Sequence, residues 1–68
     1  MTGVELIAKL HKFGFERVRQ KGSHVRLKHS DGRCTTVPIH SGETIHTGLL
    51  HKIVVHDCRL TMEEFRKT

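Results

Sequence analysis

The sequence lacks any uninterrupted apolar run of the roughly 20 residues that a bilayer-spanning helix needs. Its opening, MTGVELIAKL, interleaves charged and apolar side chains, so neither a signal peptide nor a membrane span is expected. A cytoplasmic location follows as an expectation. Cysteine is scarce: Cys34 and Cys58 lie far apart and form no C-x-x-C pair, which in a reducing compartment reads as two free thiols rather than a disulfide. Proline occurs once, at Pro38, and no repeat, low-complexity tract or linker interrupts the chain. Sixty-eight residues suffice for one domain, residues 1–68, and a modest core. Positive charge is what the chain has in excess: 12 Lys and Arg face 7 Asp and Glu, a formal charge of +5 before any of the 7 histidines is protonated. The natural partner is an anion, with nucleic acid first among the candidates.

Thr2-Gly-Val-Glu5 has the form of a capping box and predicts a helix start. Leu6, Ile7, Leu10 and Phe13 then recur at three- and four-residue spacing as one apolar stripe, and Gly14 supplies a left-handed stop. After Phe15 the period falls to two. Lys21-Gly22 and Asp31-Gly32 divide residues 16–38 into three short strands, and Pro38, lacking an amide donor, ends the third. His40 to Thr47 reads as a loop with a bend at Ser41-Gly42. A second helix begins near Thr47 or Gly48 with Leu50, Ile53 and Val54 on its apolar face, and a last short helix opens on a second capping box, Thr61 with Glu64, carrying Phe65. The expected class is α+β in the order α-β-β-β-α-α, with a three-stranded antiparallel sheet covered by helices on one face.

Register follows from requiring apolar side chains to share a face. A first turn centred on Lys21-Gly22 sets Val18 opposite Val25, Arg19 opposite His24 and Arg17 opposite Arg26. At the second turn, a three-residue loop Ser30-Asp31-Gly32 with Gly32 left-handed pairs Val25 with Val37 and Leu27 with Thr35. The inner face is then Val18, Val25, Leu27 and Val37, and the outer face Arg17, Arg19, His24, Arg26 and Lys28.

Such a cationic strip attracts phosphate, and alone it predicts salt-sensitive, largely sequence-blind RNA binding, or a strand face kept polar for solubility. His24 within it adds chemistry. RNA carries its own nucleophile, the 2′-hydroxyl, so cleavage needs a base for that proton, an acid for the departing 5′-oxygen and cations for the charge on phosphorus, with no metal or other cofactor required. Histidine is the side chain suited to proton transfer near neutrality. A further positive charge among Arg19, Arg26 and Lys28 is disfavoured, which points His24 to the base role, and the same cations would stabilise the transition-state phosphate. Lys21 is central to the expected turn and Ser23 follows it. Ser23 could orient the ring or a phosphate oxygen or simply fill the turn, and Lys21 could touch RNA or be merely solvated.

These residues carry a resemblance. Lys21-Gly-Ser-His24 after Gly14-Phe15, the Asp31-Gly32 turn, Val37-Pro38-x-His40, Gly48-x-Leu50 and Glu63-Glu64-Phe65 together resemble the HicA family of bacterial and archaeal toxins over nearly the whole chain. The resemblance implies a double-stranded-RNA-binding-domain-like fold, metal-independent mRNA endonuclease activity, neutralisation by a HicB antitoxin, and His24 as the essential histidine of Gly-Ser-His. The RNA-binding set expected around it is Arg17, Arg19, Lys21, Ser23, Arg26 and Lys28. Where the family often has Gly-Thr-Leu this chain has Gly48-Leu49-Leu50, so Thr47 is expected to cap the second helix.

Other chemistries fit less well. His46, His51 and His56 are spaced by five, which on an α-helix turns each about 140° from the last, so zinc is not expected. Neither cysteine has a sequence-visible base, and His40, just beyond the third strand, could be a second phosphate contact or proton donor but reads more simply as a loop residue. The competing class is a non-catalytic RNA-binding module, but THTGLLHK at the start of the second helix offers only Lys52 in place of the lysine-rich grip such modules use.

Overall fold

A computed structural model describes all 68 residues. Helix α1 (Gly3–His11) is followed by strands β1 (Phe15–Lys21), β2 (His24–His29) and β3 (Cys34–Pro38). Helix α2 (Thr47–His51) then runs directly into a π-helical turn (Lys52–Asp57), and α3 (Met62–Arg66) closes the chain. The strands form one antiparallel sheet in the order β1-β2-β3. This is the expected α+β architecture, consistent with a double-stranded-RNA-binding-domain-like fold.

Both capping boxes form. Thr2 and Glu5 at α1, and Thr61 and Glu64 at α3, exchange side-chain and backbone hydrogen bonds of 2.8 to 3.2 Å. The amide that each carboxylate accepts from holds Glu5 and Glu64 below the usual carboxylate range. Gly14, at φ +93°, ends the turn after α1 as its position suggests. The core gathers Leu6 and Leu10 of α1, Phe15, Val25, Leu27 and Val37 of the sheet, Ile53 and Val54 of the π turn, then Cys58, Leu60 and Phe65. Thr35 is also buried among them, and its hydroxyl donates to Asp57 Oδ2 at 2.8 Å.

The second turn has the expected register, Val25 opposite Val37 and Leu27 opposite Thr35. His29 and Arg33 close a three-residue loop, with the His29 amide donating to the Arg33 carbonyl at 2.8 Å. Gly32 has φ +100°, and a Cβ there would meet nothing within 4 Å. Replacing it by Val should therefore cost backbone strain alone, on the order of 1–2 kcal/mol. Thermal unfolding measures that, and an unchanged melting temperature would contradict the turn.

The first turn departs from the sequence reading. Its central residues are Gly22 and Ser23, not Lys21 and Gly22, so Lys21 pairs with His24, Gln20 with Val25 and Arg19 with Arg26. A β-bulge at Val18 then shifts the phase, setting Arg17 opposite Leu27 and Phe15 opposite His29. Val18 is 56% exposed rather than inward, and Arg17 leaves the outer face for the inner side of the strand edge, where its guanidinium donates to Gln20 Oε1 at 3.4 Å. The reason is Phe15. A regular strand with Val18 inward would turn Glu16 to the core and Phe15 to water. Burying a phenylalanine is worth about 1.5–3 kcal/mol, so the bulge gives up Val18 to seat Phe15, which is 1% exposed. Gly22, at φ +58°, supplies the first central residue that a two-residue hairpin turn of this kind favours.

Candidate RNA-binding face

The corrected register sets the outer face. Arg19 and Lys21 come from β1, His24, Arg26 and Lys28 from β2, and Cys34, Thr36 and Pro38 from β3. His24 is exposed at the first position of β2, directly after the turn. The carbonyl of Ser23 accepts from the Ile39 amide at 2.7 Å, and His24 pairs with Pro38. The turn is thus tied to the exit of β3, which fixes the backbone that carries the imidazole. Arg26 reaches across the sheet: Nη1 donates to Thr36 Oγ1 at 3.1 Å and Nη2 to Cys34 Sγ at 3.0 Å. A guanidinium has five N–H donors, so this anchoring leaves Arg26 with free donors on the outer face. Nothing along the chain hints at this anchor, because its two acceptors lie eight and ten residues away and only the sheet brings them together.

Two pairs of basic side chains stand directly opposite one another across β1 and β2, the like-charged Arg19 with Arg26, and Lys21 with His24. Like charges so placed destabilise a sheet, and none of Arg19, Lys21, His24, Arg26 and Lys28 takes part in a salt bridge. The nearest carboxylate on this face is Glu16, opposite Lys28 at the far end of the sheet. A face serving solubility alone would gain from mixed signs. This one accumulates unpaired positive charge toward His24.

The other candidates separate from that face. Arg17 has moved to the inner side, and Ser23 is half-buried in the turn. His40 is exposed and lines a shallow hollow of about 360 Å³ with Thr2, Gly3 and Val4 at the start of α1. A second hollow, of about 440 Å³, lies between the β2–β3 turn and the end of the π turn and is lined by Asp31, Arg33, Asp57 and Arg59 among others. His24 belongs to neither, so the candidate site is an open strand face, a shape suited to an extended polymer. Cys58 is fully buried, and desolvation, followed by the Asp57 charge, pushes its thiol up to about 12. A thiol held neutral in this way is no nucleophile. His46, not Thr47, caps α2: its Nδ1 accepts from the Gly48 amide at 3.0 Å.

A family model described as the HicA toxin of bacterial toxin-antitoxin matches residues 3–60. The chain belongs to the HicA toxin family. Among curated proteins none matches it. As a HicA toxin it is one half of a toxin-antitoxin pair, so an antitoxin is its partner. The match takes in α1, all three strands, α2 and the π turn, and hence every residue of the cationic face.

Proposed function

We propose that this HicA toxin is a metal-independent endoribonuclease of the cytoplasm that cuts mRNA on the outer face of its sheet, with His24 as general base. The observation that carries this reading is the pair of unbalanced cross-strand contacts, Arg19 with Arg26 and Lys21 with His24, which gather cations around the one histidine of that face. The RNA backbone lies along β1 and β2, with Arg19, Arg26 and Lys28 on phosphates and Lys21 beside the turn. His24 takes the proton from a 2′-hydroxyl, whose oxygen bonds to the adjacent phosphorus as the bond from phosphorus to the 5′-oxygen breaks, and the departing 5′-oxygen takes its proton from water, which reaches this exposed face. The arginines neutralise the charge that builds on the phosphate oxygens. Ser23 serves through its backbone, and Arg17, on the other side of β1, contributes at most from the strand edge.

The decisive experiment incubates the purified protein with RNA in the presence of a chelator. Cleavage to fragments ending in a 2′,3′-cyclic phosphate supports the reading, whereas binding without cleavage returns the chain to the class of RNA-binding modules. The antitoxin, a HicB-like protein on this reading, binds with an acidic surface over His24 and the Arg19–Arg26 strip and competes with RNA. Arg26→Glu should leave the fold intact, since the side chain is exposed, and should weaken RNA binding together with its salt dependence. Removing one phosphate-binding cation lowers the slope of log affinity against log salt by about 0.7 for a single strand. A slope indifferent to Arg26, measured by fluorescence titration across salt concentrations, would place the RNA elsewhere.

A further inference from the structure

Two histidines excluded from metal binding by α-helical geometry meet in this fold. Five residues along an α-helix separate His51 from His56 by about 140°, but the segment that joins them is not α-helical. Lys52–Asp57 is a π-helical turn, and the Cys58 amide donates to the carbonyl of Ile53, five residues back, at 2.9 Å. In that geometry the hydrogen bonds close over five residues, so a side chain five positions on returns to nearly the same face. The His51 and His56 rings accordingly stand 6.4 Å apart between centroids at an angle of 66°. Both are exposed on the helical layer, the side of the sheet away from His24. π-helical turns often mark functional sites, and nothing in the proposed RNA chemistry uses this one.

We propose that His51 and His56 form a two-imidazole site for a late first-row divalent cation, with Zn²⁺ as the representative. Imidazole suits Zn, Cu and Ni. With metal–nitrogen bonds of about 2.0–2.1 Å, two rings around one ion hold their centroids on the order of 5–6 Å apart. The observed separation is slightly wider, and rotation of two exposed side chains closes it. The closest competing cation on the helix is Lys52, whose Nζ is drawn to Asp57 Oδ2 at 3.4 Å. Arg59 lies across the hollow that His56 also lines. No third His, Cys, Asp or Glu joins the pair, so water completes the coordination and the site is an open one. It is independent of the nuclease reading and stands or falls without it.

The test is isothermal titration of the full chain with ZnCl₂ and with NiCl₂, beside His51→Ala, His56→Ala and, as a distant control, His40→Ala. One ion per chain should bind saturably and raise the melting temperature of the native chain. Each of the first two variants should lose at least about 10-fold in affinity, since even groups that only orient a ligand are worth that much, and the control should bind as the native chain does. In NMR spectra, sub-stoichiometric Ni²⁺ should broaden the imidazole signals of His51 and His56 before those of the other histidines. Full affinity in either single variant, simultaneous broadening of all seven histidines, or no binding at millimolar metal would each overturn the site. Melting curves of the metal-free variants distinguish removal of a ligand from loss of the helix.

Discussion

Replacing His24 by Ala should leave a protein that folds and binds RNA as the native chain does but cleaves it about 10²–10⁴-fold more slowly, the usual scale for removal of a general acid or base. The side chain is exposed and makes no hydrogen bond whose loss would reach the core, so the melting curve should not move. Arg19, Arg26 and Lys28 remain, so affinity and its salt dependence should also hold. An RNA with a 2′-deoxy sugar at the cut site tests the same mechanism from the substrate side, for it removes the nucleophile while keeping every phosphate. That RNA should bind and stay whole. Cleavage of the deoxy substrate, or full activity in His24→Ala, would defeat the mechanism, and an active alanine variant that still ignored the deoxy sugar would move the base to another residue. His40→Ala is the informative companion. Its side chain lines the hollow at the start of α1 and not the strand face, so its rate should match that of the native protein.

What the sequence discloses of this site, and what it withholds, follow from the range of the interactions concerned. The capping boxes of α1 and α3 are contacts three residues apart, and their residue types declare them. The second turn is equally legible, because Asp31-Gly32 and the pairing of Val25 with Val37 demand the same register. The first turn is not, because two local signals compete. Val18 fits an alternating strand, yet Phe15, three residues earlier, is the larger apolar group, and only a bulge lets the core have it. Alternation followed outward from an assumed turn cannot reveal a bulge. The bulge takes Arg17 off the outer face and the one-residue shift of the turn adds Lys21 to it, while His24 and Arg26 stay in place, since both belong to β2, whose phase Val25 and Leu27 fix independently. The π-helical turn and the left-handed Arg59, at φ +56°, are invisible for another reason. No glycine marks the position, and the geometry comes from seating Ile53, Val54, Cys58 and Leu60 together in one small core.

That dependence of the site on packing can be tested at Gly3, far from His24 in sequence. A Cβ built on Gly3 would collide with the carbonyl oxygen of Pro38 and lie 3.0 Å from Ile39 Cγ2, so the first turn of α1 sits against the exit of β3 with no room for a side chain. Pro38 is the partner of His24, and Ile39 holds the Ser23 carbonyl. A side chain at residue 3 must therefore push α1 off the sheet or push the end of β3 toward the turn that carries His24. The obstacle is backbone, which cannot rotate aside as a flexible side chain could. Gly3→Val should consequently cost about 1–3 kcal/mol, the range for overpacking a close-packed contact. In a domain of this size each 1 kcal/mol lowers the melting temperature by roughly 4–8 °C, so a fall on the order of 10 °C is expected by calorimetry or circular dichroism. Cleavage measured well below the transition should fall as well, because the Ser23–His24 backbone loses its fixed anchor while the cations stay where they are. RNA affinity should decline much less than rate. Native melting in Gly3→Val would show that α1 does not bear on β3, and a destabilised variant with native cleavage at low temperature would show that the turn carrying His24 holds its geometry without that support.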